Sequence, residues 1–155
     1  MKKPKLSIRI LSVKDAEEYS KIASGAEIHR YVPFMEKSTV TSASEWILSM
    51  NTDNEKVLGV FDKRTKRMVG AISISTFENE LTVDMLIGTK YQNKGYGTEA
   101  LLSLIKFVKL SKNNSIKSLI FEVHKTNKKS LSLQSSIRSV LMRETKNYQI
   151  FSMPV

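Results

Sequence analysis

The chain has 155 residues, 41% hydrophobic and 26% charged, values that suit one domain (residues 1–155) with its own core and exclude disorder as the default. It holds no cysteine, which excludes disulfides, thiolate metal sites and a cysteine nucleophile, and its two histidines, His29 and His124, stand far apart without partners at ligand spacing, so no metal is expected. The formal charge of +10, from 25 Lys+Arg against 15 Asp+Glu, favours polyanionic partners such as phosphorylated cofactors, ribosomes or nucleic acid, although the lysines are scattered rather than blocked. The opening MKKPKLSIRI lacks the apolar stretch of a secretory signal, and no run approaches the roughly 18 apolar residues of a membrane span. A cytoplasmic protein with no membrane partner is the expectation.

LSIRIL (6–11) alternates as a strand does, and Ser12 with Asp15 forms a capping-box-like start for VKDAEEYSKIAS, a helix with Ala16, Tyr19, Ile22 and Ala23 on its inner face. GAEIHRYVPFMEKST is irregular, broken by Gly25 and Pro33, and gathers His29, Tyr31 and Phe34. Ser42 and Glu45 mark the next helix start, with Ala43, Trp46, Ile47 and Met50 on one face. From residue 56 the period changes to two. KVLGVFD and RMVGAISISTF flank the polar turn DKRTK as an antiparallel hairpin, and LTVDMLIG (81–88) follows as a third strand. A helix then runs to about residue 112, presenting Leu101, Leu104, Ile105 and Val108 to the sheet. KSLIFEV (117–123) reads as a largely buried strand, KTNKKSLSLQSSI as a last helix capped by Thr126 or Asn127, and VLMRETKNYQIFSM as a closing hairpin. The predicted order is β-α-α-β-β-β-α-β-α-β-β, a mixed α/β domain with one parallel β-α-β crossover and no internal repeat.

The segment YQNKGYGTEALLSLIKF (91–107) puts Gly95 and Gly97 directly before the apolar periodicity of a helix. A helix start leaves unpaired N–H groups and a partial positive charge, so it can hold a diphosphate if no side chain shields it. Glycine at 95 and 97 removes that shield and permits positive φ, while Lys94 adds a full charge. The string also fits the dinucleotide pattern G-x-G-x-x-A, with Glu122 near the end of the next strand where such folds keep a ribose acid. Against that reading, Gly95 lies well beyond the strand end near Gly88, and one β-α-β unit is too little for a doubly wound sheet. A plain glycine turn entering a helix is the third reading, and it leaves Gln92 and Lys94 without a purpose.

Gln92-Asn93-Lys94-Gly95-Tyr96-Gly97 resembles the Q/R-x-x-G-x-G/A signature of the GNAT superfamily of acetyl-CoA-dependent N-acetyltransferases. The longer string YQNKGYGTEAL is similar to the branch of ribosomal-protein N-terminal acetyltransferases (RimJ/RimL-like), and the element order resembles that fold over nearly the whole chain. The resemblance implies a GNAT-like, mostly antiparallel sheet flanked by helices, with acetyl-CoA as cosubstrate. It implies cofactor contacts from Gln92, Asn93, Lys94, Gly95, Tyr96, Gly97 and Thr98, from the backbone of Met85, Leu86 and Ile87 on a splayed strand, and from Asn127, at the family's N-x-x-S/A position.

For catalysis the resemblance implies a base on that strand, where Asp84 is the candidate with Thr82 at the family's usual position and Glu80 just before it, and an acid, for which Ser130 is placed. An ion-paired Asp84 and a helix-capping Asn127 or Ser130 are the structural alternatives. Gln134 stands where many relatives carry a tyrosine acid, and Ser139-Val140 replace a Gly-Phe closure, so a non-catalytic acyl-CoA binder stays open. Lys125, Lys128 and Lys129 suit an outer phosphate; His29, Tyr31, Phe34 and Trp46 suit an acceptor pocket or, for Tyr31 and Trp46, plain core. The implied partner is an amine-bearing substrate, a protein N-terminus first and a small polyamine or aminoglycoside second. Ribosome or RNA association, and a monomer or homodimer, complete the expectations.

Overall fold

The computed structural model describes residues 5–25, 39–111 and 115–155. Over these it contains β1 (Leu6–Ile10), α1 (Ala16–Ala23), α2 (Val40–Met50), β2 (Glu55–Asp62), β3 (Met68–Phe77), β4 (Glu80–Ile87), α3 (Tyr96–Leu110), β5 (Ser118–His124), α4 (Lys128–Ser136), β6 (Val140–Glu144) and β7 (Tyr148–Pro154). The order is the one read from periodicity. His29, Tyr31 and Phe34 lie outside the described residues.

All seven strands join one sheet in the order β1-β2-β3-β4-β5-β7-β6. Neighbours pair antiparallel except β4 and β5, which are parallel and connected through α3. A single parallel pair in an antiparallel sheet rules out the doubly wound dinucleotide fold, whose strands run parallel throughout. The closing hairpin enters through its second strand, so β7 lies against β5 and β6 forms the outer edge.

Period-two alternation sends the side chains of each strand to two cores. Leu58, Val60, Leu81, Val83, Leu119 and Phe121 pack with Leu101 and Leu104 of α3 on one face. Val57, Ala71 and Leu86 pack with Tyr19 of α1 and with Ala43 and Ile47 of α2 on the other. Each fully buried leucine contributes about 2 kcal/mol of hydrophobic stabilisation. Trp46 is half-buried and stacks on Tyr19 with ring centroids 5.4 Å apart, tying α2 to α1. The start of α2 is three residues earlier than a cap at Ser42 would give, because Thr39 caps it: Thr39 Oγ1 accepts from Ser42 N at 3.1 Å. The predicted first helix opens as a 3-10 turn, Val13–Asp15, with Asp15 Oδ2 accepting from Ser12 N at 2.9 Å. No helix of the described residues is long and apolar enough to cross a membrane.

Candidate active site

The parallel ladder between β4 and β5 is short. It pairs Glu80 with Ser118, Leu81 with Leu119 and Thr82 with Ile120, and then stops. Beyond that point β4 stays with β3 as far as Ile87, and β5 stays with β7 as far as His124, so the two strands part. A cleft of about 550 Å³ opens in the gap, walled by Val83 to Ile87 on one side and Phe121 to His124 on the other, and closed by the starts of α3 and α4.

Alternation decides which backbone groups face this gap. Gly88 N donates to Val69 O at 2.8 Å, toward β3. Two residues per repeat then turn the amides of Leu86 and Asp84 to β3 as well, and leave those of Val83, Met85 and Ile87 toward the gap. Leu86 borders the cleft but its amide belongs to the β3 ladder and its side chain to the α1/α2 core, which corrects its expected role; Val83 is the neighbour whose amide faces the gap.

At the far end of β4 a 3-10 turn, Thr89–Tyr91, leads into the glycine segment. Asn93 (φ 60°) and Gly95 (φ 84°) both adopt the left-handed region, and Gly95 is the N-cap of α3 without any side-chain cap. The amides of the first helical turn, from Tyr96 to Thr98, therefore have neither an intrahelical acceptor nor a capping side chain. Gly97 is helical and needs no positive φ, contrary to expectation. A Cβ there would meet only Met85 Cε at 3.8 Å and Leu133 Cδ2 at 3.9 Å, ordinary contacts that the fold tolerates. Its bareness thus serves the space in front of it, which is the feature a diphosphate-bearing cofactor requires.

Asn93, Gly95, Tyr96, Gly97 and Thr98 all border the cleft. Lys94 is exposed and is not part of its wall, so it contributes charge rather than a lining contact. Gln92 borders the cleft as well. Its Nε2 donates to Ile87 O at 3.0 Å and its Oε1 accepts from Lys129 Nζ at 2.7 Å. Both ends of the side chain are spent inside the protein, bracing the end of β4 against the start of α4. Tyr96 places its ring on the cleft and its hydroxyl 3.2 Å from Asp62 Oδ2, to which it donates.

Asp84 lines the cleft midway along β4, where burial, reinforced by the neighbouring charge of Glu122, pushes its carboxyl up to about 6. Among the described residues it makes no ion pair, so the surface salt bridge considered for it is absent. Asn127 caps α4, its Oδ1 accepting from Ser130 N at 3.2 Å. Ser130 borders the cleft, and its hydroxyl makes no hydrogen bond to the described residues. Gln134, 3% exposed, also borders the cleft, and its amide oxygen accepts from Ser139 Oγ at 2.8 Å. No tyrosine acid stands on this helix.

Among the lining residues that sequence reasoning left out of the site are Val83 and, on the opposite wall, the polar pair Glu122 and His124. The alternation Phe121-Glu122-Val123-His124 held that signal, because it sends the polar pair to the face that Asp84 occupies. His124 Nδ1 lies 2.8 Å from Thr126 Oγ1, and its ring meets Tyr148 edge-on.

The profile of the acetyltransferase (GNAT) domain matches residues 5–137. No curated protein matches the sequence. Among solved structures, the chain is similar to a candidate ribosomal-protein-serine acetyltransferase from Vibrio cholerae, at 22% identity and TM-score 0.77 over 100% of this chain and 96% of that one. It is similar to the PaiA N-acetyltransferase of Thermoplasma acidophilum in complex with coenzyme A, at 19% identity and TM-score 0.75 over 97% and 99%. It is also similar to the spermidine N-acetyltransferase of Vibrio cholerae in complex with CoA and spermine, at 14% identity and TM-score 0.77 over 97% and 94%. At these identities the likeness speaks for the fold.

Proposed function

Because the chain belongs to the GNAT acetyltransferase family, we propose that it moves the acetyl group of acetyl-CoA directly onto a primary amine, with no covalent enzyme intermediate. The observation that carries this reading is the gap between β4 and β5, which runs from the Thr82–Ile120 pair to the uncapped start of α3. Coenzyme A bound to the structures of the Thermoplasma and Vibrio acetyltransferases supports the same cofactor here.

Acetyl-CoA supplies an already activated thioester, so few protein groups are needed. In this reading the amides of Gly95 to Thr98 hold the diphosphate, with Lys94 adding long-range attraction. The backbone of Met85 and Ile87 and the free amide nitrogen of Asn127 hold the pantetheine arm. Gln92 positions the loop from the wall of the cleft. Asp84 takes the proton of the incoming ammonium; a carboxyl near 6 is ionised at neutral pH yet more basic than an ordinary aspartate. The backbone N–H of Val83 or Met85 donates to the carbonyl oxygen as charge develops there. Ser130 Oγ holds a proton for the departing thiolate.

For the acceptor, the string YQNKGYGTEAL and the fold likeness to the ribosomal-protein-serine candidate support a protein or peptide N-terminus. Association with ribosomes, for which the +10 charge is suited, and a cytoplasmic location belong to the same reading.

The test has two parts. Thermal shift should show stabilisation by coenzyme A and none by NAD, and a free-thiol assay with acetyl-CoA should show release that depends on added amine. Binding without amine-dependent release across peptide N-termini, polyamines and aminoglycosides would leave an acyl-CoA binder in place of an enzyme.

A further inference from the structure

On the sheet face that carries Asp84, register aligns two rows of side chains across three strands. Glu55, Ser75 and Thr82 form one row; Val57, Ser73 and Asp84 form the next. Five of these six carry a hydroxyl or carboxylate group, and together with Trp46 and Met50 of α2 they line a second cavity of about 250 Å³. This face is otherwise the apolar core of α1 and α2, so the polar patch needs a reason. Ser73 is only 4% exposed, yet its hydroxyl makes no hydrogen bond to the described residues. The side chains of Ser75, Thr82, Glu55 and Asp84 likewise make none. Apart from Ser73 these residues are half-buried, so their unspent donors and acceptors open onto the cavity and are available to a polar or charged guest.

Asp84 belongs to the walls of both cavities, which places the second beside the proposed point of acetyl transfer. Among the described residues no lysine or arginine lines it, although the chain as a whole carries a charge of +10. Its chemistry is two carboxylates, three hydroxyls and an indole ring, and an indole face attracts cations. Two strand spacings across and two residues along the strand, roughly 12 Å between Cα atoms, separate Glu55 from Asp84, a span that two side chains and a short diamine between them can bridge.

We propose that this cavity selects the acceptor: a compact primary amine whose chain carries a second cationic group, the reacting amine lying at Asp84 and the second ammonium at Glu55. The inference rests on the acetyl-transfer reading of the Asp84 cleft. The shared chemistry has two sources, a free alkyl diamine or a peptide whose first residue is basic.

Trp46 is the only tryptophan, so its fluorescence reports occupancy of the cavity without any need for turnover. In the presence of coenzyme A, 1,4-diaminobutane should change that signal saturably at a concentration about tenfold below n-butylamine, the worth of one partly screened charge pair, while 4-aminobutyrate gives no response. The order of kcat/KM in the thiol assay should be the same. Glu55→Gln should bring diaminobutane to the level of butylamine while stabilisation by coenzyme A is unchanged, which also shows that the variant folds. Peptides beginning with lysine, compared with norleucine, assign the source: a preference for lysine exceeding that for diaminobutane means a peptide end, and the reverse a free diamine. A selective Trp46 response without thiol release upholds the cavity and overturns the catalytic reading. Thiol release with diaminobutane no better than 4-aminobutyrate, or an order unchanged in Glu55→Gln, overturns the cavity and leaves acetyl transfer standing.

Discussion

Asp84 carries the site's main electrostatic tension. Burial beside Glu122 raises its carboxyl from 3.8 to about 6, so between those values the folded chain binds more protons at this position than the unfolded chain. Stability therefore falls as pH rises through that window and stays lower above it. Asp84→Asn should be more stable than the parent at pH 7, by up to about 3 kcal/mol, and the gain should vanish near pH 4, as urea unfolding at the two pH values will show. The same variant should lose the limb of the rate profile that rises near pH 6, and an unchanged profile would remove Asp84 from the mechanism. This residue was legible in LTVDMLIG as a charge amid an apolar alternation. The role of Gln92 was not, because its side chain reaches Ile87 and Lys129 only after the 3-10 turn folds the loop back on the strand.

At the scale of elements, the start of α3 separates stability from binding. Glycine within a helix costs about 0.5–1 kcal/mol relative to alanine, and at position 97 the fold has room for the methyl group. Gly97→Ala should therefore keep or raise the unfolding temperature while weakening coenzyme A by tenfold or more, measured by thermal unfolding and by titration. A variant that binds the cofactor normally would show that the amides there are not the diphosphate cradle. Strands and helices were readable because their periods of 2 and 3.6 are local. The insertion of β7 between β5 and β6 was not, since a hairpin's sequence does not say which of its strands will find the sheet edge. The cap of α2 was misjudged for a smaller reason: Thr39 and Ser42 are both capping types, and which one turns outward depends on the chain before it.

Over the whole molecule, charge is distributed along the strands. The β2–β3 turn with Lys63, Arg64, Lys66 and Arg67 lies at the end of the sheet where β4 meets Lys90 and Lys94, and parallel β5 delivers Lys125, Lys128 and Lys129 to that same end. Asp53, Glu55, Glu78 and Glu80 gather at the other. Net charge alone thus hides an uneven distribution: phosphates are drawn to the first end, while at the second Lys56 and Lys117 stand among the carboxylates. The brief ladder between β4 and β5 has a mechanical consequence. Among the described residues the sheet itself joins the four-stranded lobe, β1 to β4, to the three-stranded one, β5 to β7, through three residue pairs, supported by α3, by the core beneath it and by the Gln92–Lys129 contact. Amide hydrogens of Val83, Met85 and Ile87 should exchange with deuterium far faster than their neighbours on β3, and slow by at least tenfold when coenzyme A is added. The cofactor would then be mortar as well as reagent, so that the protein is most fully one body while it holds the molecule it consumes.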